Sequence, residues 1–144
     1  MSDRAEPAAG TAARVRIDHV ALWTRDLEGL RDFYMRHFGA ESGPRYASRR
    51  QAGFTSYFLT LPGGGARLEL MALPALGEAV LGRAVGWAHL ALAVGDSDAV
   101  DTLVARLVAA GVRLVSAART TGDGYYEAVI ADPDGNLVEI VAAN

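Results

Sequence analysis

Two histidines and two glutamates recur at equal spacing in this chain. His19 and His89 are 70 residues apart, and so are Glu69 and Glu139. Their neighbours repeat as well. His19-Val20-Ala21-Leu22 matches His89-Leu90-Ala91-Leu92, Arg67-Leu68-Glu69-Leu70 matches Leu137-Val138-Glu139-Ile140, and Asp26 matches Asp96. An ionised carboxylate among aliphatic strand residues is costly unless it is paired or bound to a metal. The chain has three histidines, and two of them fall at the repeat offset, which points to a shared role. Imidazole nitrogen suits Zn, Ni, Co, Fe and Cu, and carboxylate oxygen adds a hard, charge-neutralising donor. Four such ligands with room for two waters would form an octahedral site open to a bidentate substrate. A closed structural zinc site usually uses cysteine, and the chain has none. Two His–Glu pairs that only tie the halves together are the plain alternative, but buried ion pairs are weak stabilisers. The expectation is that His19, Glu69, His89 and Glu139 hold one divalent metal ion.

The elements that must position these residues follow from periodicity. Residues 15–23 read as a strand. Asp26 caps a helix whose stripe is Leu27, Leu30, Phe33, Tyr34 and Phe38, and Gly39 ends it. After an irregular stretch, residues 54–61 and 66–72 read as strands around the turn Pro62-Gly63-Gly64-Gly65. This glycine run lacks a following GK[ST] and is no phosphate loop. The pattern then restarts. Residues 87–94 read as a strand, and Asp96 or Ser97 caps a helix with the stripe Val100, Leu103, Val104, Leu107 and Val108, ended by Gly111. Strands follow at 112–118 and 125–131. The turn Asp132-Pro133-Asp134-Gly135 leads into the last strand.

Strand side chains alternate faces with period two. His19 therefore lies with Ala21 and Trp23, Glu69 with Arg67 and Met71, His89 with Trp87 and Ala91, and Glu139 with Leu137 and Val141. The opposite faces are more uniformly aliphatic and suit packing under the helices. The fold class expected is α+β, two tandem βαβββ modules forming a curved mixed sheet cleft with helices outside. Residues 1–13 read as a flexible tail, and 14–144 as one domain: module one 14–72, linker 73–86 with one helical stretch, and module two 87–144.

Composition narrows the function classes. The 144 residues are 51% hydrophobic and 22% charged, a globular balance. The net charge of −3 comes with no basic cluster, which argues against nucleic acid. No apolar run approaches the roughly 20 residues of a membrane span, and the first 13 residues lack a secretory apolar core. A cytoplasmic location is the default expectation.

The motifs IDHVAL at 17–22, RLEL at 67–70, WAHLAL at 87–92 and DPDGNLVEI at 132–140 resemble those of the vicinal oxygen chelate superfamily. That superfamily groups glyoxalase I, methylmalonyl-CoA epimerase, extradiol dioxygenases, and fosfomycin- and bleomycin-resistance proteins. The resemblance runs from about Arg16 to Val141. Bacterial-type glyoxalase I is similar at all four ligand positions, carried over as His19, Glu69, His89 and Glu139. The epimerase has Gln in place of the first Glu, and the dioxygenase and fosfomycin sets do without it. The resemblance thus implies a metal-dependent lyase or isomerase that stabilises an enediolate on a small dicarbonyl-derived, hydroxyacid or thioester substrate. Glu139 is the first candidate base and Glu69 the second. The implied cofactor is one divalent ion, Ni or Co ahead of Zn, Mn or Fe(II).

Two positions depart from the glutathione-using glyoxalases. Trp23 stands where they carry Arg, and Leu73 where they tend to carry Asn. An apolar group cannot replace a charge-assisted hydrogen bond to a carboxylate. Trp23 and Trp87 are expected as apolar cleft walls. Arg67 is placed either to bind a substrate anion or to pair at the surface. Tyr57, Tyr125 and Tyr126 read as packing or substrate-orienting groups, and His37 as a cation at a helix C-terminus. The alternatives are an extradiol-type ring-cleaving dioxygenase with Fe(II) or Mn(II), and a non-catalytic drug- or metabolite-binding protein like the bleomycin-resistance members. Only 20 residues separate Glu69 from His89. This resembles members whose modules separate and pair with a partner chain, so a homodimer is expected, with the site shared between subunits.

Overall fold

The structure is a computed structural model and describes residues 14–79 and 83–143. The tail expected at 1–13, part of the linker and Asn144 lie outside the described residues. Module one comprises β1 (His19–Trp23), α1 (Leu27–Phe38), β2 (Glu41–Ser42), β3 (Tyr46–Ala47), β4 (Thr55–Thr60) and β5 (Arg67–Ala72). Module two comprises β6 (Leu90–Gly95), α2 (Ser97–Ala109), β7 (Arg113–Thr120), β8 (Tyr126–Ala131) and β9 (Leu137–Ala142).

Each module forms its own mixed sheet. The strand orders are β1-β5-β4-β2, with β3 also on β4, and β6-β9-β8-β7. In both, the first strand runs parallel to the last and the remaining pairs are antiparallel. The α+β fold of two modules is thus as expected, with two open sheets. The third strand after α1 is the part that periodicity missed. It lies in the irregular stretch as the two-residue pieces β2 and β3, separated by Gly43, Pro44 and Arg45, too short to show alternation.

The helices form where their caps and stripes place them. Asp26 accepts from Gly29 N and Asp96 from Ala99 N, each satisfying one free N–H of a first turn. Gly39, at φ +67°, ends α1. After α2, Gly111 N donates to Val108 O and Val112 N to Leu107 O, the paired closure of a Schellman motif. Leu30 and Tyr34 of α1 are fully buried against β5's Leu68 and Leu70, and Val100 and Leu107 of α2 against β9's Val138 and Ile140. Truncating Leu30 to Ala would cost about 2–5 kcal/mol.

Three sequence readings need correction. β1 begins at His19, and Val15 and Ile17 are exposed outside it, since β5 supplies pairing partners only from Arg67 onward. Trp87 lies ahead of β6 and is 97% exposed, for the same reason: β9's pairing starts at Leu90. No helix occurs among the described residues of the linker.

The modules meet through α1. Tyr34 Oη donates to Asp132 Oδ2 at 3.0 Å in the buried interior. Arg106 of α2 donates to the His37 carbonyl at 3.2 Å, so a cation from the other module serves the C-terminus of α1. His37 itself is pushed below the ordinary histidine range by burial and by Arg36 and Arg106, against the expectation that it carries that charge.

Candidate functional site

The two His–Glu pairs occupy the same register in both sheets. Ala21 of β1 pairs with Glu69 of β5, and Ala91 of β6 with Glu139 of β9. In each case the histidine is two residues earlier: His19 opens β1 on the face of Ala21, whereas His89, expected within a strand, sits one residue ahead of β6, and each reaches the glutamate of its module. The aliphatic faces turn to the helices, as the period-two rule requires, and the pairs stay on the open faces. Side-chain exposure is 41% for His19 and 42% for His89, against 16% for Glu69 and 14% for Glu139. The carboxylates are sunk between strands and the imidazoles stand at the mouth.

His19 Nε2 is 3.8 Å from Glu69 Oε2, and His89 Nε2 is 3.1 Å from Glu139 Oε1. The surroundings of the two histidines differ. His19 Nδ1 lies 2.8 Å from Asp18 Oδ2. An ionised carboxylate only accepts, so Nδ1 donates to Asp18 and Nε2 is the nitrogen turned toward Glu69. Arg67 donates to the same Asp18 oxygen at 3.2 Å, and both partners hold the Asp18 carboxyl below its usual range, His19 the more. The repeat places Ala88 and Leu137 where Asp18 and Arg67 stand, so His89 has no such support.

Glu127 was missed by the sequence reading. It lies on β8, opposite Val141 and two residue pairs along from Glu139, on the same face. Burial raises its carboxyl, with repulsion from Glu139 and Asp123 adding to the shift. Alternation in Tyr126–Ala131 held the signal, because Ala128 and Ile130 are fully buried and Glu127 shares the face of Val129. Asp18 gave no signal, because a residue adjacent to His19 in a strand is expected on the other face.

The structure brings each histidine to the glutamate of its own module. It does not bring the four together: no group of three or more His, Cys, Asp or Glu close enough to hold a metal occurs among the described residues. The donor chemistry nevertheless suits a divalent ion, with an imidazole nitrogen and a carboxylate oxygen within 4 Å on each open face.

A cleft of about 620 Å³ opens beside the first pair, lined by Tyr46, Phe54, Ser56, Phe58, Arg67 and Glu69 among others. Arg67 lies over the Phe58 ring at 4.4 Å, and His19 meets that ring edge-on at 5.4 Å. Trp23, 48% exposed, is not part of the lining of this cleft, though it meets Phe54 edge-on at 6.1 Å. Gly53 stands just before Phe54 at φ +77°, and a Cβ there would meet Pro74 Cγ at 2.5 Å; glycine lets this loop close on the linker. Trp87 lines neither this cleft nor the larger one of about 860 Å³ between the modules. Two of the three tyrosines read as packing or substrate-orienting groups bind their own module's helix. Tyr57 Oη donates to Glu28 at 2.7 Å and Tyr126 to Asp101, each tying a strand to its helix. Tyr125 is exposed.

Comparison with known proteins defines the class. The family model of the Glyoxalase/Bleomycin resistance protein/Dioxygenase superfamily matches residues 16–140, and the chain belongs to that superfamily. No curated protein sequence matches it significantly. Among solved structures it is similar to a glyoxylase/bleomycin resistance protein/dioxygenase domain from Frankia sp. EAN1pec, at 21% identity and TM-score 0.77, covering 90% of this chain and 98% of that one. A lactoylglutathione lyase from Agrobacterium tumefaciens is 27% identical with TM-score 0.63, covering 88% and 92%. The fosfomycin resistance protein FosX from Listeria monocytogenes, complexed with Mn(II) and sulfate, is 22% identical with TM-score 0.66, covering 89% and 92%. No helix among the described residues is long and apolar enough to cross a membrane.

Proposed function

We propose that the protein is a divalent-metal-dependent lyase or isomerase of the glyoxalase I type, acting on a small molecule with two vicinal oxygens. The observation that carries this reading is the pair of His–Glu couples at identical register on the two open faces. His19 and Glu69 of one copy, with His89 and Glu139 of a second, would complete the ligand set in a homodimer. Support for sharing comes from the absence of any three-residue cluster among the described residues of one chain and from β1 and β6 both being sheet-edge strands.

A divalent ion so held supplies Lewis-acid stabilisation of negative charge on the substrate oxygens. The residues do the rest. Glu139, or Glu69 in second place, takes the proton from the carbon beside a carbonyl and returns it to the neighbouring carbon. Asp18 holds His19 in the tautomer that offers Nε2. Trp23 and Leu73 stand where carboxylate-gripping groups would be needed for glutathione, so the substrate is a smaller or more apolar compound. The aromatic cleft favours one further reading, a binding protein that holds an apolar metabolite without turnover.

The deciding experiment is calorimetric titration of metal-free protein with Ni, Co, Zn, Mn and Fe(II), followed by assay of each loaded form on methylglyoxal with and without glutathione. Stoichiometric binding with Ni- or Co-dependent isomerisation supports the proposal. Oxygen uptake with a catechol would move the reading to ring cleavage. No metal binding would leave the binding-protein reading in front.

A further inference from the structure

The cleft of module one carries information about the substrate that the metal ligands do not. Its aromatic rings are not core. Tyr46, which lines the cleft, is 56% exposed yet meets Phe54 edge-on at 6.2 Å, and Trp23, 48% exposed and outside the lining, meets Phe54 at 6.1 Å. These contacts hold flat apolar surface open to solvent, a cost unless something covers it. The cleft's about 620 Å³ lies in the range of small-molecule sites. Its charges argue against a polyanion. Arg67, which lines it, is already paired with Asp18 at 3.2 Å and lies over Phe58. Glu69 contributes a carboxylate, and Ser56, Thr60 and Tyr46 are neutral. The cleft reaches Glu69, and His19 stands edge-on against Phe58 of its lining. Module two has no counterpart: Val129 pairs with Glu139 where Phe58 pairs with Glu69, and Glu127 takes the place of Ser56.

We infer that this cleft is the subsite for an aromatic ring borne by the substrate, so that the compound is a small arylated molecule whose two vicinal oxygens adjoin the ring-bearing carbon. The inference rests on the proposed function only for the position of the oxygens at His19 and Glu69. The ring lies against Phe54 and Phe58 in the offset or edge-on geometries that aromatic pairs prefer. Tyr46 closes over it, and Ser56 offers a hydrogen bond to a ring substituent.

The test compares mandelate with lactate, two 2-hydroxyacids that differ by phenyl against methyl. Binding is measured by calorimetry to the full chain, metal-free and metal-loaded. Mandelate should bind tenfold or more tightly than lactate, as expected for burying a phenyl group. In Phe54→Ala and in the surface variant Tyr46→Ala, which removes no core packing, the ratio should fall toward one. Equal affinities for the two acids, no mandelate binding at millimolar concentration, or a preference that survives both variants would overturn the subsite. A preference for mandelate in a protein that binds no metal would keep the subsite and remove the metalloenzyme. Metal binding with equal affinities would do the reverse.

Discussion

Tyr34 of α1 and Asp132 of the β8–β9 turn join the two modules through one buried hydrogen bond of 3.0 Å. The turn is built around that carboxylate. Asp132 Oδ1 accepts from the N–H groups of Asp134 and Asn136 at 2.9 and 3.0 Å, and Oδ2 from Asn136 Nδ2 at 2.9 Å. The Asp-Pro-Asp-Gly-Asn motif therefore shapes a hairpin and also presents an acceptor to the other module. Tyr34→Phe should lower stability by about 1 kcal/mol, the net worth of one such bond, in urea unfolding. Burial, with Asp132 beside it, pushes the Tyr34 phenol far up. Its stabilisation is fully present below the ordinary tyrosine pKa of about 10 and declines as pH rises past it. The wild type should thus lose stability in that alkaline window, and Tyr34→Phe should lose less.

Asp134 in the same turn has the same sign of linkage, but in the acid range, so that at neutral pH its charge already costs stability. Burial raises its carboxyl, repulsion from Asp132 and Asp26 adds to this, and its Oδ2 is buried without a partner. Its ionised form is therefore disfavoured in the folded chain at neutral pH. Asp134→Asn should stabilise the protein at pH 7 by about 0.5 kcal/mol after solvent screening. The advantage should shrink as pH falls and the wild-type carboxyl takes up its proton. Thermal melts of both proteins at pH 7 and pH 4 would check the sign.

On the proposed function, Asp18 would act through His19, whose Nδ1 it holds. Asp18→Ala frees His19 Nδ1 and releases Arg67. Metal affinity should fall about tenfold or more, the usual effect of removing a carboxylate behind a ligating histidine. Calorimetry reads the affinity. The proton resonances of the His19 ring would show whether the Nδ1–H tautomer is lost, a change that general destabilisation would not produce.

Sharing of the site between copies has a stoichiometric signature. A homodimer with two shared sites binds one ion per chain. His19→Ala and His89→Ala should each abolish tight binding. A mixed dimer of the two variants contains one site with both lesions and one site with none, so equimolar mixing with random reassembly should restore about a quarter of the wild-type binding, and the purified mixed dimer about half. A site completed within one chain would recover nothing on mixing.

Glu69→Gln separates the chemistries. It should cut lyase or isomerase turnover strongly, by about a hundredfold or more if the carboxylate both neutralises the ion and serves as base. A three-ligand dioxygenase would be little affected. Turnover of the metal-loaded variant checks this.

The sequence by itself determined the repeat, the helices and the faces. Asp26, Asp96, Gly39 and Gly111 mark helix ends through local backbone chemistry, and alternation in short strands separates Leu68, Leu70, Val138 and Ile140 from the two glutamates, because both signals act over a few residues. The four residues His19, Glu69, His89 and Glu139 were legible from the repeat, but their division into two His–Glu pairs came from the pairing of β1 with β5 and of β6 with β9. Only the tertiary structure decided what lies between strands that are distant in sequence. Pairing partners, and not hydrophobicity, fixed where β1 and β6 begin, and so left Trp87 in solvent. Strand register put Glu127 beside Glu139 and set Phe58 beside Glu69 under Arg67. The chain brings two His–Glu pairs into matching positions without joining them: local periodicity orients side chains, and the packing of whole sheets decides which of them meet.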